Sequence, residues 1–185
     1  MKKSVFFTFA AFLFLFLLIS TNCRKSEPQR IAWTKAKTFA GLSEKFGEPF
    51  GLAFDKNGAL YVSDGEQGKI WRVLQDGTAQ IFTDKLNTPS QIAFDKNGDL
   101  IVADSGTHTI KKIKPTGEIE LIAGVENQSG FADGEAGQAL LNAPIGVAVF
   151  EDKIFVADTY NDRIRVIENG KVSTLAGGEQ GFADG

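Results

Sequence analysis

The sequence predicts an all-β protein made of repeated four-stranded sheets, and three observations predict it. First, one phrase is written three times: Pro49-Phe-Gly-Leu-Ala-Phe-Asp then Leu60-Tyr-Val-Ser-Asp64, Pro89-Ser-Gln-Ile-Ala-Phe-Asp then Leu100-Ile-Val-Ala-Asp104, and Pro144-Ile-Gly-Val-Ala-Val-Phe then Ile154-Phe-Val-Ala-Asp158. A period of about 40 residues carrying strand-like segments marks sheets stacked in series. Second, each copy divides into four short strands by alternation and turn dipeptides. Third, the second strand of each copy is apolar on both faces, which suits a sheet sandwiched between neighbours. Four antiparallel strands per repeat, set around an axis, make a propeller blade.

Residues 1–22 stand apart from the rest of the chain. Lys2 and Lys3 form a basic start, Val5 to Ile19 is an apolar run broken only by Thr8, and small polar residues lead into Cys23. A helix of that run reaches only about 22 Å at 1.5 Å per residue, short of the roughly 30 Å hydrocarbon core, so it reads as a secretory signal rather than a membrane span. The single thiol directly after the run resembles the lipobox of bacterial lipoproteins, although Ser20-Thr21-Asn22 stand where that pattern has Leu, a small residue and Gly or Ala. The resemblance implies a diacylated Cys23 as the mature N-terminus, carrying palmitate-type chains. Ordinary cleavage that discards the thiol, or an uncleaved anchor, are the alternatives. All three export the rest of the chain to the bacterial cell envelope. Residues 23–30, polar and containing Pro28, then serve as a tether, and 31–185 form the repeat domain.

Within that domain the first blade is expected at 49–83, with strands at 49–55, 59–64, 69–75 and 78–83 and turns at Asn57-Gly58 and Asp76-Gly77. The second, 89–123, reuses the layout at 89–95, 99–104, 109–114 and 117–123. The third, 144–176, does so at 144–150, 153–158, 163–168 and 171–176, with turns at Glu151-Asp152 and Asn169-Gly170. Thr34-Lys-Ala-Lys-Thr-Phe-Ala-Gly41 echoes Gly170-Lys-Val-Ser-Thr-Leu-Ala-Gly177, so residues 34–39 are expected to be an additional outermost strand.

Composition bounds the function. The chain has 185 residues, 43% hydrophobic and 23% charged, with formal charge −3. Without Lys2 and Lys3 the balance is 18 basic against 23 acidic residues, or −5. That argues against a general nucleic-acid binder, whose affinity comes from neutralising phosphates. One cysteine excludes an internal disulfide.

The recurring Pro-x-Gly-Ile/Val-Ala, then hydrophobic-Val-Ala-Asp, then a loop leading to Arg-Ile, resembles the NHL-repeat family of β-propellers. Asp158-Thr-Tyr-Asn-Asp-Arg-Ile164 is the best copy; Asp104-Ser-Gly-Thr-His-Thr-Ile110 and Asp64-Gly-Glu-Gln-Gly-Lys-Ile70 are looser ones. Leu175-Ala-Gly-Gly-Glu-Gln-Gly-Phe-Ala-Asp-Gly185 and its partner Ile122–Gly134 look like that family's inter-blade connection. The resemblance implies a ring that usually closes with six blades. Three blades and an N-terminal outer strand are therefore expected to be part of a larger propeller, with self-association through open blade edges expected of such an arc. Assembly of a full ring from several chains is the alternative.

Candidates for chemistry are few. Asp64, Asp104 and Asp158 recur at one place, and a carboxylate trio can suggest metal or acid–base work. Their equivalence in separate blades instead predicts a structural role, each accepting backbone N–H bonds from its own following turn. His108, the one imidazole, lacks partners for a zinc set and falls where the family often has His. The Asp-Lys-Asn-Gly runs at 55–58 and 95–98 read as turns, Lys111, Lys112 and Lys114 as a solvated face, and Trp33 and Trp71 as packing groups. No residue is singled out as catalytic, cofactor-binding or metal-ligating. Two function classes remain. One is an envelope-anchored binding module for a protein, glycan or small molecule, with specificity in loops such as 125–143. The other is part of a propeller enzyme, since related propellers include gluconolactonase-like hydrolases and lyases that use metals or histidines near the axis. The visible residues favour binding.

Overall fold

The computed structural model describes residues 38–40 and 46–178, all within the unit Lys37–Gly185. The expected signal segment, Cys23, the expected tether and residues 179–185 lie outside the described residues. So does most of the expected outer strand at 34–39, of which 38 and 39 carry no strand structure.

Three antiparallel sheets succeed one another along the chain. The first comprises β1 (Pro49–Phe54), β2 (Leu60–Asp64), β3 (Lys69–Val73) and β4 (Ala79–Thr83), in that order. The second comprises β5 (Pro89–Phe94), β6 (Leu100–Asp104), β7 (Thr109–Ile113) and β8 (Ile119–Ala123). The third has five strands: after β9 (Gly134–Glu135) come β10 (Pro144–Phe150), β11 (Lys153–Asp158), β12 (Arg163–Glu168) and β13 (Lys171–Gly177), in the spatial order β10-β11-β12-β13-β9. None of these sheets closes into a barrel. The result is an arc of three blades, a partial propeller, with strand ends within two residues of the alternation-based bounds.

Register repeats with the sequence. Val62 faces Trp71, Val102 faces Lys111 and Val156 faces Arg165 at the same point of the β2–β3, β6–β7 and β11–β12 pairs. A pairing irregularity falls just after the opening proline of every blade and another between the third and fourth strands, at Ile70/Trp71, Ile110/Lys111 and Ile164/Arg165. The turns obey local chemistry. Asp55 Oδ1 accepts the amides of Asn57 and Ala59, both at 2.9 Å, and Gly58 sits at φ +80°, a conformation that costs glycine nothing.

Both sheet interfaces are apolar. Between blades 1 and 2, Tyr61 and Ile70 meet Ile92, Leu100, Val102 and Ile113, and Tyr61 stands edge-on to Phe94 at 5.1 Å. Between blades 2 and 3, Ile101, Ala103 and Ile110 meet Val147, Val156, Ile167 and Val172. Each large apolar side chain buried here contributes about 1.5–3 kcal/mol. The first strands approach closely because of Gly51: a Cβ there would lie 2.7 Å from the Ser90 carbonyl oxygen. Hydroxyls bridge this seam and the one between blades 2 and 3. Ser63 Oγ accepts the Gly51 amide at 2.7 Å and donates to the Ser90 carbonyl, while Ser105 Oγ donates to the Pro144 carbonyl.

The long connection before blade 3, the loop expected to carry specificity, is partly packed into the sheets. Ala136, Ala139 and Leu141 are buried in the core between blades 2 and 3, and β9 pairs with β13, Lys171 opposite Glu135 and Val172 opposite Gly134. The connection is thus part of the packing, and β13 does not end the third sheet.

Candidate functional site

The three repeat aspartates end β2, β6 and β11, on the rim where the blade-to-blade connections also lie. Each side chain is fully buried. Asp64 accepts the amides of Gly47 at 2.8 Å, Glu48 at 3.0 Å and Gln67 at 3.2 Å. Asp104 accepts the amide of Asn87 and Asp158 that of Asn142, both at 2.7 Å. Gly47, Asn87 and Asn142 each stand two residues before the proline that opens the blade. The shared backbone donor therefore belongs to the incoming connection, which corrects the expectation that it comes from the aspartate's own following turn. That turn contributes an amide only at Asp64; at the other two it offers a side chain, Thr107 Oγ1 to Asp104 at 2.9 Å and Asn161 Nδ2 to Asp158 at 2.8 Å.

A second donor arrives from the neighbouring strand, seven residues on, and it differs in every blade. Trp71 Nε1 donates to Asp64 at 3.1 Å, Lys111 Nζ reaches Asp104 at 2.8 Å, and Arg165 Nη1 reaches Asp158 at 2.6 Å. Lys111 is therefore buried rather than on a solvated face; Asp104 and Glu126, the latter also at 2.8 Å, hold it there. Burial by itself would make the Lys111 ammonium easier to deprotonate, but the two carboxylates outweigh it and raise its pKa above the usual lysine value. Lys112 and Lys114 do lie toward solvent and share Glu120. For Asp64, burial pushes the carboxyl up, yet the amides of Gly47 and Glu48, the Trp71 indole and the Gln67 amide together hold it below the ordinary aspartate value. A carboxylate so occupied is a poor proton carrier for general acid–base work.

Arg165 extends this network into the connection. Its Nη2 donates to the Ala132 carbonyl at 2.8 Å and to Asp133 Oδ1 at 2.7 Å, and Nη1 also meets the Leu140 carbonyl at 3.1 Å. Burial opposes ionisation of Asp133, but the Arg165 guanidinium wins and its carboxyl lies below the usual range. Sequence reasoning does not single out Trp71, Lys111 and Arg165 as a set, although their constant spacing from the repeat aspartate is visible in it.

His108 sits in the left-handed region at φ +59° and its Nδ1 accepts the Ala143 amide at 3.0 Å, tying blade 2 to the next connection. Gly68 and Asp162 hold the equivalent bend in blades 1 and 3, at φ +64° and +52°. Among the described residues, no three His, Cys, Asp or Glu side chains come together as a metal set. What this rim does present is aromatic. Phe50, next to the blade 1 proline, and Phe131, in the connection, are about half exposed, and Tyr160, two residues after Asp158, is 72% exposed. The Arg163 guanidinium stacks on Phe131 at 3.9 Å.

Residues 86–113, spanning the second blade's first three strands, match the NHL repeat. The chain carries an NHL repeat. It is 42% identical over 74 residues to the human NHL repeat-containing protein 2, covering 39% of this chain and 10% of that protein. Among solved structures, a protein of unknown function from Bacteroides thetaiotaomicron is 24% identical with TM-score 0.63, over 71% of this chain and 36% of its own. An auxiliary nutrient binding protein from Bacteroides ovatus is 20% identical with TM-score 0.58, over 70% and 36%. A gluconolactonase from Xanthomonas campestris is 18% identical with TM-score 0.59, over 72% and 48%. The chain thus spans a tenth of the human relative and about a third to a half of these solved neighbours, which share its fold and comprise one protein of unknown function, one binding protein and one enzyme.

Proposed function

We propose that the chain is an envelope-held binding module whose recognition surface is the rim bearing the blade connections. One observation carries this reading: at that rim the buried carboxylates are committed to holding backbone and neighbouring strands, while Phe50, Phe131 and Tyr160 stand open to solvent. Exposed rings beside a guanidinium suit a ligand with an apolar face and polar edges, and a glycan is the class to test first. The fold shared with a nutrient-binding protein supports the same direction. Titrating the full-length protein with a panel of soluble oligosaccharides should give saturable binding that Tyr160→Ala weakens. Binding untouched by Tyr160→Ala and Phe131→Ala would move the site elsewhere.

Anchoring is the second half of the proposal. Cys23 after the apolar run of Val5 to Ile19 would place the module at a membrane. Metabolic labelling with a palmitate analogue should mark the wild type and fail with Cys23→Ala. The competing reading, part of a lactonase-like hydrolase or lyase, draws on the shared fold with the gluconolactonase. It requires turnover of a lactone or related substrate by the purified chain, which the binding reading does not.

A further inference from the structure

We infer that the seam between blades 1 and 2 holds a ligand site of its own, at the end of the sheets away from the repeat aspartates, and that it takes a single aromatic ring bearing a carboxylate. This site does not depend on the ligand reading above, which concerns the other rim. β2 runs from one rim to the other: Leu60 opens it beside the hairpin turns and Asp64 closes it. A cavity of about 230 Å³ lies at the turn end, lined by Tyr61, Phe82 and Phe94 and framed by the turns at 55–57 and 95–98. Tyr61 meets Phe82 and Phe94 edge-on, each at 5.1 Å. An apolar cavity of about 150 Å³ takes up benzene and pockets for drug-sized molecules begin at about 300 Å³, so the volume suits one ring with a small substituent.

One side chain in this cavity lacks what burial normally requires. Tyr61 is 7% exposed, yet its hydroxyl has no hydrogen-bond partner among the described residues. Burial raises the phenol above its usual pKa, against the Arg72 guanidinium that lies 5.9 Å from the ring, so the group keeps its proton and can donate. What it lacks is an acceptor. Packing alone does not call for the hydroxyl, because blades 2 and 3 place Ile101 and Phe155 at the same register. The corresponding cavity between blades 2 and 3 is also smaller, about 150 Å³, and has Ile101, Ile122 and Val149 where the first has its rings.

Charge at the mouth selects an anion. Asp55 and Asp95 stand there, but both are occupied. Asp55 Oδ1 accepts the Asn57 and Ala59 amides and its Oδ2 faces Arg72 at 4.0 Å, while Asp95 Oδ1 accepts the amides of Asn97 and Asp99, both at 2.9 Å. The two lysines of the same turns are freer. Lys56 forms no ion pair among the described residues, and Lys96 meets Asp152 in a contact more than half exposed on both sides, which solvent screens. A carboxylate therefore finds a phenol donor and two cations, whereas an ammonium finds carboxylates already bonded to their own turns.

The test titrates the isotope-labelled full-length chain, in mild detergent to accommodate the apolar N-terminal run, with benzoate, benzylammonium and benzyl alcohol. Amide NMR shifts follow binding, with free ligand corrected for uptake by the micelles. Benzoate should saturate with Kd about 0.1–1 mM, the range open to so small a ligand, and shift amides around 55–61, 82 and 94–98. The cation and the alcohol should bind at least about 10-fold more weakly. Tyr61→Phe keeps the ring and breaks no bond within the protein, so it should leave the circular dichroism unchanged while weakening benzoate about 5–10-fold. Lys56→Gln should weaken it about 2–3-fold and flatten its salt dependence. Tyr160→Ala should alter none of this, so the two rims succeed or fail separately. No saturation by tens of millimolar, shifts confined to other residues, benzylammonium or benzyl alcohol binding as tightly as benzoate, or affinity indifferent to Tyr61→Phe would each overturn the inference.

Discussion

Arg165→Met tests the claim that each repeat aspartate depends on its cross-strand donor. Arg165 is fully buried and joins Asp158 at 2.6 Å, the Leu140 and Ala132 carbonyls, and Asp133 at 2.7 Å. Removing one member of a buried ion pair costs about 3–5 kcal/mol, because the remaining charge stays desolvated. Asp158 keeps the Asn142 amide and the Asn161 side chain, and the Arg165 Nε is buried without a hydrogen-bond partner among the described residues, so the lower end of that range, about 3 kcal/mol, is expected. Against a typical total of about 5–15 kcal/mol that is a large fraction. Equilibrium urea unfolding followed by far-UV circular dichroism measures the loss, and limited proteolysis should show new cuts within 125–143, since Arg165 holds that connection at two carbonyls. Adding Asp158→Asn removes the stranded charge but keeps an acceptor for Asn142, so the double variant should recover about 1–2 kcal/mol. A single variant within about 0.5 kcal/mol of wild type, or a double variant no better than the single, would refute the reasoning.

Three further outcomes are expected from the same geometry. Asp64 has a folded pKa below its unfolded value of about 3.9, so its stabilisation is fully present above that pH and fades as pH falls through the folded value; Asp64→Asn should flatten stability against pH below about 4, read by urea midpoints across an acid series. Gly51→Ala places a Cβ 2.7 Å from the Ser90 carbonyl and 2.9 Å from the Ile92 amide, both backbone, and should lower stability by about 1–3 kcal/mol, measured by thermal and urea unfolding. Thr88, exposed and β-branched, is held at φ +54°; Thr88→Gly should raise the unfolding free energy by about 0.5–1 kcal/mol, read as a higher urea midpoint, where an ordinary loop threonine would show no gain.

Strand placement is legible in the sequence because the repeat supplies three readings of one pattern, and turn dipeptides such as Asn57-Gly58 and Asn97-Gly98 fix each hairpin independently of packing. Lys111 escapes that reading for a physical reason. When a sheet is covered on both faces, alternation cannot say which lysine is enclosed, and only Asp104 across the β6–β7 pair reveals it. The connection at 125–143 repeats in the tail only as far as Gly134, so the burial of the part that follows has no signal beyond Leu141, which matches Leu86 and Phe46 in distance from the next proline. The aspartates' equivalence points to structure over chemistry, but the donor's address, in the incoming connection, needs three dimensions. The exposed Tyr160 carries no sequence signature at all.

The hydrogen bond that the backbone amide of Gly47, Asn87 or Asn142 donates to a repeat aspartate pins the point of entry into each blade, whatever precedes it. Residues 84–88 bridge one pair of blades and 124–143 the other, yet both deliver the chain to the same anchor. Such a protein can lengthen or swap its inter-blade insertions without turning the module that comes next, which leaves variation free to work on the outer decoration while the angular spacing of the arc stays constant.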